Sequence, residues 1–171
     1  MDTMSAAGGS SHLLTTLLRD VSRSFYLTLR VLPARVRAPI GLAYLLARAT
    51  DTLADASSVP VAIRRAALES LRNRILDSAA PDPRWPEFDV EGPDVTEGER
   101  VLLRRIPEAL AILDRSQVWE KGCIRSVLET IVGGQILDLD RFGGMRPGSG
   151  VVALADARAL DDYTYRVAGC V

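Results

Sequence analysis

Four residues stand out for the chemistry they could share: Tyr44, Arg48, Asp51 and Asp55. At 100° per residue they fall within one helical stripe about 60° wide. Asp51 and Asp55 are i,i+4 neighbours, and like charges at that spacing repel. Something must offset the repulsion. A divalent cation is the obvious candidate, because Mg2+ is commonly held by one or two carboxylates and bridged to substrate phosphates. The plainer alternative is a solvated stripe in which Arg48 meets Asp51 and Thr52. The stretch that carries the file, Pro39 to Ala56 (PIGLAYLLARATDTLADA), is otherwise almost wholly apolar. A surface helix shows a broad polar face. A narrow polar file on an apolar rod predicts a buried helix whose file faces a cavity.

Two further groups carry possible chemistry. Ser22-Arg23-Ser24-Phe25 sets an arginine between two hydroxyls. The guanidinium fork suits phosphate because it can bond two oxygens at once. The same residues could instead cap or break a helix, with Arg23 paired to Asp20 at the surface. Farther on, Gln135, Asp138 and Phe142 recur at i,i+3,i+7 and are placed to line the same cavity. They follow Gly133-Gly134, each roughly 1 kcal/mol worse than alanine inside a helix. Such a cost has a reason in ligand approach or in a plain helix contact through the glycines. The glycine-rich stretch from Gly143 to Ala153 is no phosphate-binding P-loop, since no Gly-Lys-Ser/Thr follows.

The elements that must position these residues are helices. Residues 1–12 read as a disordered tail, and 13–171 as one domain. A first helix runs from Leu13 to about Leu32 and is stopped by Pro33. Pro39 sits in the first turn of the central helix. Pro60 opens the next, to about Ala79, with Arg64, Arg65, Arg72 and Arg74 on a solvated face. A proline-rich acidic loop covers Pro81 to Val95. Thr96 and Glu99 form a capping box that starts a helix to about Arg115, with a kink or break expected at Pro107. Another long helix spans Gln117 to Phe142. The last begins near Leu154, pairs Asp162 with Arg166, and reaches Val171 without a glycine cap or proline. That ending reads as a chain cut inside a helix.

Bulk properties narrow the classes. The 171 residues suit one domain with a sizeable core. Hydrophobic residues make up 47% and aromatics only 5%, which favours packed helices over an all-β protein. A net charge of −1 gives no basic footprint, so no nucleic-acid partner is expected. His12 is the lone histidine, which argues against histidine-based catalysis. Cys123 and Cys170 have no metal-ligand spacing and read as reduced thiols of an intracellular protein. No apolar run is long enough to span a membrane, and the N-terminus is unlike a signal peptide.

Three blocks in order carry a resemblance. Ser22-Arg23-Ser24-Phe25 matches the Ser-Arg-Ser-Phe block of the squalene/phytoene synthases, the head-to-head prenyl synthases. Tyr44 through Asp55 (YLLARATDTLAD) resembles their first aspartate-rich motif, at the spacing of squalene synthase. Tyr163-Thr164-Tyr165-Arg166-Val167-Ala168-Gly169 resembles their Tyr-x-x-x-Val-Ala-Gly element. The resemblance covers about residues 13–171.

It implies an all-α isoprenoid synthase fold, a helical bundle around a central cavity. It implies Mg2+-dependent condensation of two farnesyl diphosphates to presqualene diphosphate or squalene, with NADPH needed if squalene is the final product. A phytoene-type enzyme acting on geranylgeranyl diphosphate is the sibling alternative. Carried over by position, Asp51 and Asp55 would hold Mg2+ on a diphosphate. Ser22, Arg23 and Arg48 would contact that diphosphate, and Phe25 and Tyr44 would line the cavity. Tyr163 would be the tyrosine that helps proton removal or steadies cationic intermediates. The family's second aspartate-rich motif lies beyond the Val-Ala-Gly element. Asp138-Leu139-Asp140 and Asp161-Asp162 come too early and are spaced differently. The chain is therefore expected to be the N-terminal half of such an enzyme, inactive unless the cavity is completed. A truncated non-catalytic relative acting in binding or assembly is the rival, though it would be expected to lose Asp51 and Asp55. Location is expected to be cytoplasmic, with peripheral membrane association suggested by a hydrocarbon product.

Overall fold

The computed structural model describes residues 16–19, 21, 23–88, 95–144 and 153–170. The tail read over 1–12 lies outside them. Among the described residues, the helices bounded at both ends are, in chain order, α1 (Arg23–Val31), α2 (Ala34–Asp55), α3 (Val61–Leu76), α4 (Glu97–Arg115), α5 (Val118–Phe142) and α6 (Ala157–Thr164); residues 16–19 and 21 are helical too. A short 3-10 turn, Pro86–Phe88, lies between α3 and α4, and a π-helical turn, Tyr165–Gly169, extends α6. No strand occurs among the described residues. The fold is all-α, as the sequence predicts.

The central helix is longer than expected. It begins at Ala34 after Pro33, and Pro39 lies inside it rather than in its first turn. Pro33 holds φ at −52°, and its carbonyl accepts from the backbone N–H groups of Val36 and Arg37. The connector is thereby drawn into the helix. Arg37 closes the turn by donating to the carbonyls of Arg30 and Leu32, which ends α1.

α2 packs against α3, α4 and α5, so it is the hub of the bundle. Leu45, Leu46, Ala49 and Leu53 are fully buried on it, against Leu68 and Leu71 of α3 and Leu102, Ile106 and Leu110 of α4. The capping box at Thr96 and Glu99 is present in full. Of the kink or break expected at Pro107, the break is absent: α4 runs through it. Pro107 itself is exposed, while Leu103, Ile106 and Leu110 are buried on the core side. Packing of that apolar face outweighs the lost backbone bond. A second box starts α5, where the backbone N–H of Gln117 donates to the Glu120 carboxylate at 3.0 Å.

The arginines of α3 do not form a solvated face. Arg74 is 7% exposed and holds Asp82 at 2.8 Å and Asp114 at 2.6 Å. Ser78 donates to the same Asp114 carboxylate, and Arg125 donates to Ser78 and to the carbonyl of Ile75. This network ties the ends of α3 and α4 to the start of α5. Local periodicity placed Arg74 on a polar face. The aspartates that bury it come from 8 and 40 residues away. Arg65 pairs with Asp140 and Arg72 with Glu129, each at 3.0 Å, so α3 and α5 run antiparallel.

Candidate functional site

A groove of about 450 Å3 opens between α1, α2 and α5. Its walls are apolar: Phe25, Ile40, Ala43, Tyr44 and Ala47 on one side, Ile124, Val127 and Ile131 on the other. The Phe25 and Tyr44 rings stack, with centroids 4.2 Å apart and planes 17° from parallel. Both residues were assigned to a cavity wall by resemblance, and both line this groove. Trp119 and Cys123 also line it and carried no sequence signal.

The polar end lies one turn farther along both helices. Asp51 follows Ala47 by four residues and Gln135 follows Ile131 by four, about 6 Å at 1.5 Å per residue. There Gln135 Nε2 donates to Asp51 Oδ1 at 2.6 Å, joining positions 84 apart in sequence. Both helices place their groove-lining residues on the N-terminal side of the Asp51–Gln135 bond, so α2 and α5 run in the same direction along the groove. Asp55 is exposed one turn beyond, and Arg64 nearby donates to the carbonyl of Ala54 at 2.7 Å.

Burial raises the Asp51 carboxyl above its ordinary value. Arg48 opposes that shift, Asp55 adds to it by repulsion, and the Gln135 hydrogen bond opposes it. Burial also raises Asp138, against the pull of Arg141. Placing negative charge at this end is costly, and a cation would relieve it.

Arg48 turns the other way. Its Nη2 pairs with Glu99 Oε1 of α4 at 2.5 Å, while the other Glu99 oxygen accepts from Thr96. Arg48 Nε is buried without a hydrogen-bond partner among the described residues, as is Gln135 Oε1. The four-residue file therefore splits. Tyr44 lines the groove, Asp51 meets α5, Arg48 meets α4, and Asp55 faces solvent. Glu99 was read only as a helix cap; its position in the box was the one available signal for its second partner.

Gly134 fits a packing role. A Cβ there would lie 2.9 Å from the Arg166 Cβ, so the glycine admits the π-helical turn against α5. Tyr163 is half-buried on α6 and is not among the groove's lining residues. The position of Ser22 and the side chain of Arg23 lie outside the described residues; the backbone of Arg23 opens α1.

Among the described residues, no group of three or more histidine, cysteine or acidic side chains could hold a metal. The Asp51–Asp55 pair still fits Mg2+, which takes one or two carboxylates and fills its shell with water and phosphate oxygens.

The squalene/phytoene synthase family model matches residues 18–171, and this chain belongs to that family. A bifunctional lycopene cyclase/phytoene synthase of Phycomyces blakesleeanus is 36% identical over 83 residues, covering 46% of this chain and 14% of that protein. The protein of the same description from Blakeslea trispora is 41% identical over 61 residues, covering 36% and 10%. Two solved ligand complexes of TcSQS superpose at a TM-score of 0.70 with 22% identity. They cover 94% and 95% of this chain but only 41% and 42% of their own, so the chain spans about two fifths of those structures. No described helix is long and apolar enough to cross a membrane.

Proposed function

We propose that this chain carries a prenyl diphosphate site of a head-to-head prenyl synthase. The reaction is Mg2+-dependent condensation of two farnesyl diphosphates to presqualene diphosphate or squalene. The supporting observation is the apolar groove that ends, one turn beyond Ala47 and Ile131, at Asp51. The tail of the substrate lies along the groove, and its diphosphate lies at the carboxylate end.

Bound Mg2+, held by Asp51 and Asp55, would neutralise the diphosphate and so make it a competent leaving group. Arg48 would have to turn from Glu99, which its Nη2 holds, to reach the diphosphate. Arg23 and Ser22 add contacts to the same anion, and Asp138 lies on the helix that forms the opposite wall. The stacked rings of Phe25 and Tyr44 present aromatic faces that steady a cation without reacting with it. Apolar walls keep water from the cation. Tyr163 serves proton removal or cation stabilisation. NADPH enters if squalene is the product. The hydrocarbon product favours a cytoplasmic protein working at a membrane surface.

A phytoene-type reaction on geranylgeranyl diphosphate is the second reading, favoured by the description of both fungal relatives. The two are separated by incubating the protein with Mg2+ and either farnesyl or geranylgeranyl diphosphate and analysing the products. Turnover of farnesyl diphosphate alone supports the first reading, and of geranylgeranyl diphosphate alone the second. Absence of Mg2+-dependent binding of either diphosphate would sink both and leave a non-catalytic binding or assembly role.

A further inference from the structure

We propose that Gln135 is a positioning residue for Asp51: its amide N–H fixes one carboxylate oxygen and leaves the other to face a cation. The proposal rests on the Mg2+ and diphosphate reading above and goes beyond it.

The hydrogen bond from Nε2 to Asp51 Oδ1 is short, 2.6 Å, and joins α5 to α2 one turn beyond the groove. It occupies one oxygen and one rotamer of the carboxylate, leaving Oδ2 to be presented to a ligand. A carboxylate that binds a cation is commonly oriented by such a neighbour. The amide suits this place better than an acid or a base. A third carboxylate would add repulsion to Asp51 and Asp55, and a lysine would compete with the cation.

The other end of the amide carries the argument further. Gln135 Oε1 is buried and has no partner among the described residues. A buried acceptor left unpaired costs about 1–3 kcal/mol. The orientation with Nε2 toward Asp51 is fixed by the carboxylate, which can only accept when ionised. The amide therefore keeps its N–H on Asp51 at the expense of its own oxygen.

The test uses the 171-residue chain with Mg2+ and inorganic diphosphate as the probe. Calorimetry on the unaltered chain, Gln135→Met and Asp51→Asn gives cation affinity, and thermal melts report folding. Gln135→Met is expected to weaken Mg2+ binding about tenfold, within the range for loss of a residue that orients a metal ligand, with little change in melting temperature. Asp51→Asn is expected to abolish binding. NMR of the Gln135 side-chain amide in the unaltered chain gives a readout that needs no variant. Its N–H signals should move when Mg2+ and diphosphate are added and stay in place in Asp51→Asn. Loss of binding in Asp51→Asn with full affinity in Gln135→Met and an unmoved amide signal would overturn the proposal while the diphosphate reading stood. Wild-type affinity in Asp51→Asn, or no binding by the unaltered chain, would overturn both. If Gln135→Met fails to fold, the amide signal decides.

Discussion

Two polar clusters join helices in this protein, and they are finished to different degrees. Around Arg74, every charge has its counterpart: Asp82 and Asp114 take the guanidinium, and Ser78 and Arg125 complete the chain of donors. At Asp51 there is one hydrogen bond from Gln135, a second carboxylate at Asp55, and an unpaired amide oxygen. Burial lifts the proton affinity of Asp51, whereas the Arg74 hydrogen bond lowers that of Asp114. A closed cluster holds the fold. An open one stores the unmet demand that a ligand satisfies.

The largest effect should separate binding from folding. Asp51→Asn is expected to remove Mg2+-dependent binding of inorganic diphosphate in calorimetry. Its melting temperature should be unchanged or higher, since a buried repelling charge has gone. A protein that lost stability and kept binding would erase the distinction.

The reciprocal change comes next. Arg74→Met should cost about 3 kcal/mol in urea denaturation, at the low end for breaking a buried pair because Asp82 and Asp114 can rehydrate. Diphosphate binding should survive in the folded fraction.

Smaller again is Thr96→Ala. It removes the hydroxyl of the box and should cost about 1 kcal/mol. Because Thr96 also steadies Glu99, the Arg48 pair should loosen, and a modest fall in diphosphate affinity is the check that the box reaches the site. An unchanged affinity would confine Thr96 to capping.

The smallest effect is a pH dependence. The Asp114 carboxyl is lowered in the folded protein, first by the Arg74 hydrogen bond. Its stabilisation is fully present above its ordinary value of 3.8 and is lost as the pH falls through the lowered folded value. Urea midpoints measured between about pH 5 and pH 2 should show that loss in the unaltered protein and a smaller one in Arg74→Met.

What the chain disclosed in advance follows the same division. Helices, the cap at Thr96, and the central position of α2 are local properties, written in periodicity and capping residues. The start of α2 was misplaced because Pro39 is a strong signal, while the carbonyl of Pro33 and the side chain of Arg37 act together. Arg74 was assigned to solvent because its partners lie on other elements, and Arg48, read either as a contact of Asp51 and Thr52 or as a diphosphate ligand, meets Glu99 of α4. Glu99 and Gln135 show the same limit. Each was noticed for a local reason, yet what matters about each is a partner 51 or 84 residues away. Phe25 and Tyr44 stack across α1 and α2, a contact between two elements that neither helix shows alone.

The missing methyl at Gly134 has a mechanical meaning. At 2.9 Å from the Arg166 Cβ, a new methyl has no flexible side-chain tip to push aside, only the root of a residue in the π-helical turn. A close-packed interior passes such a push onward. Gly134 is then a fulcrum: one added carbon there would tilt Tyr165–Gly169 as a unit, and Tyr163, at the near end of the same lever, would swing without a change in its own sequence.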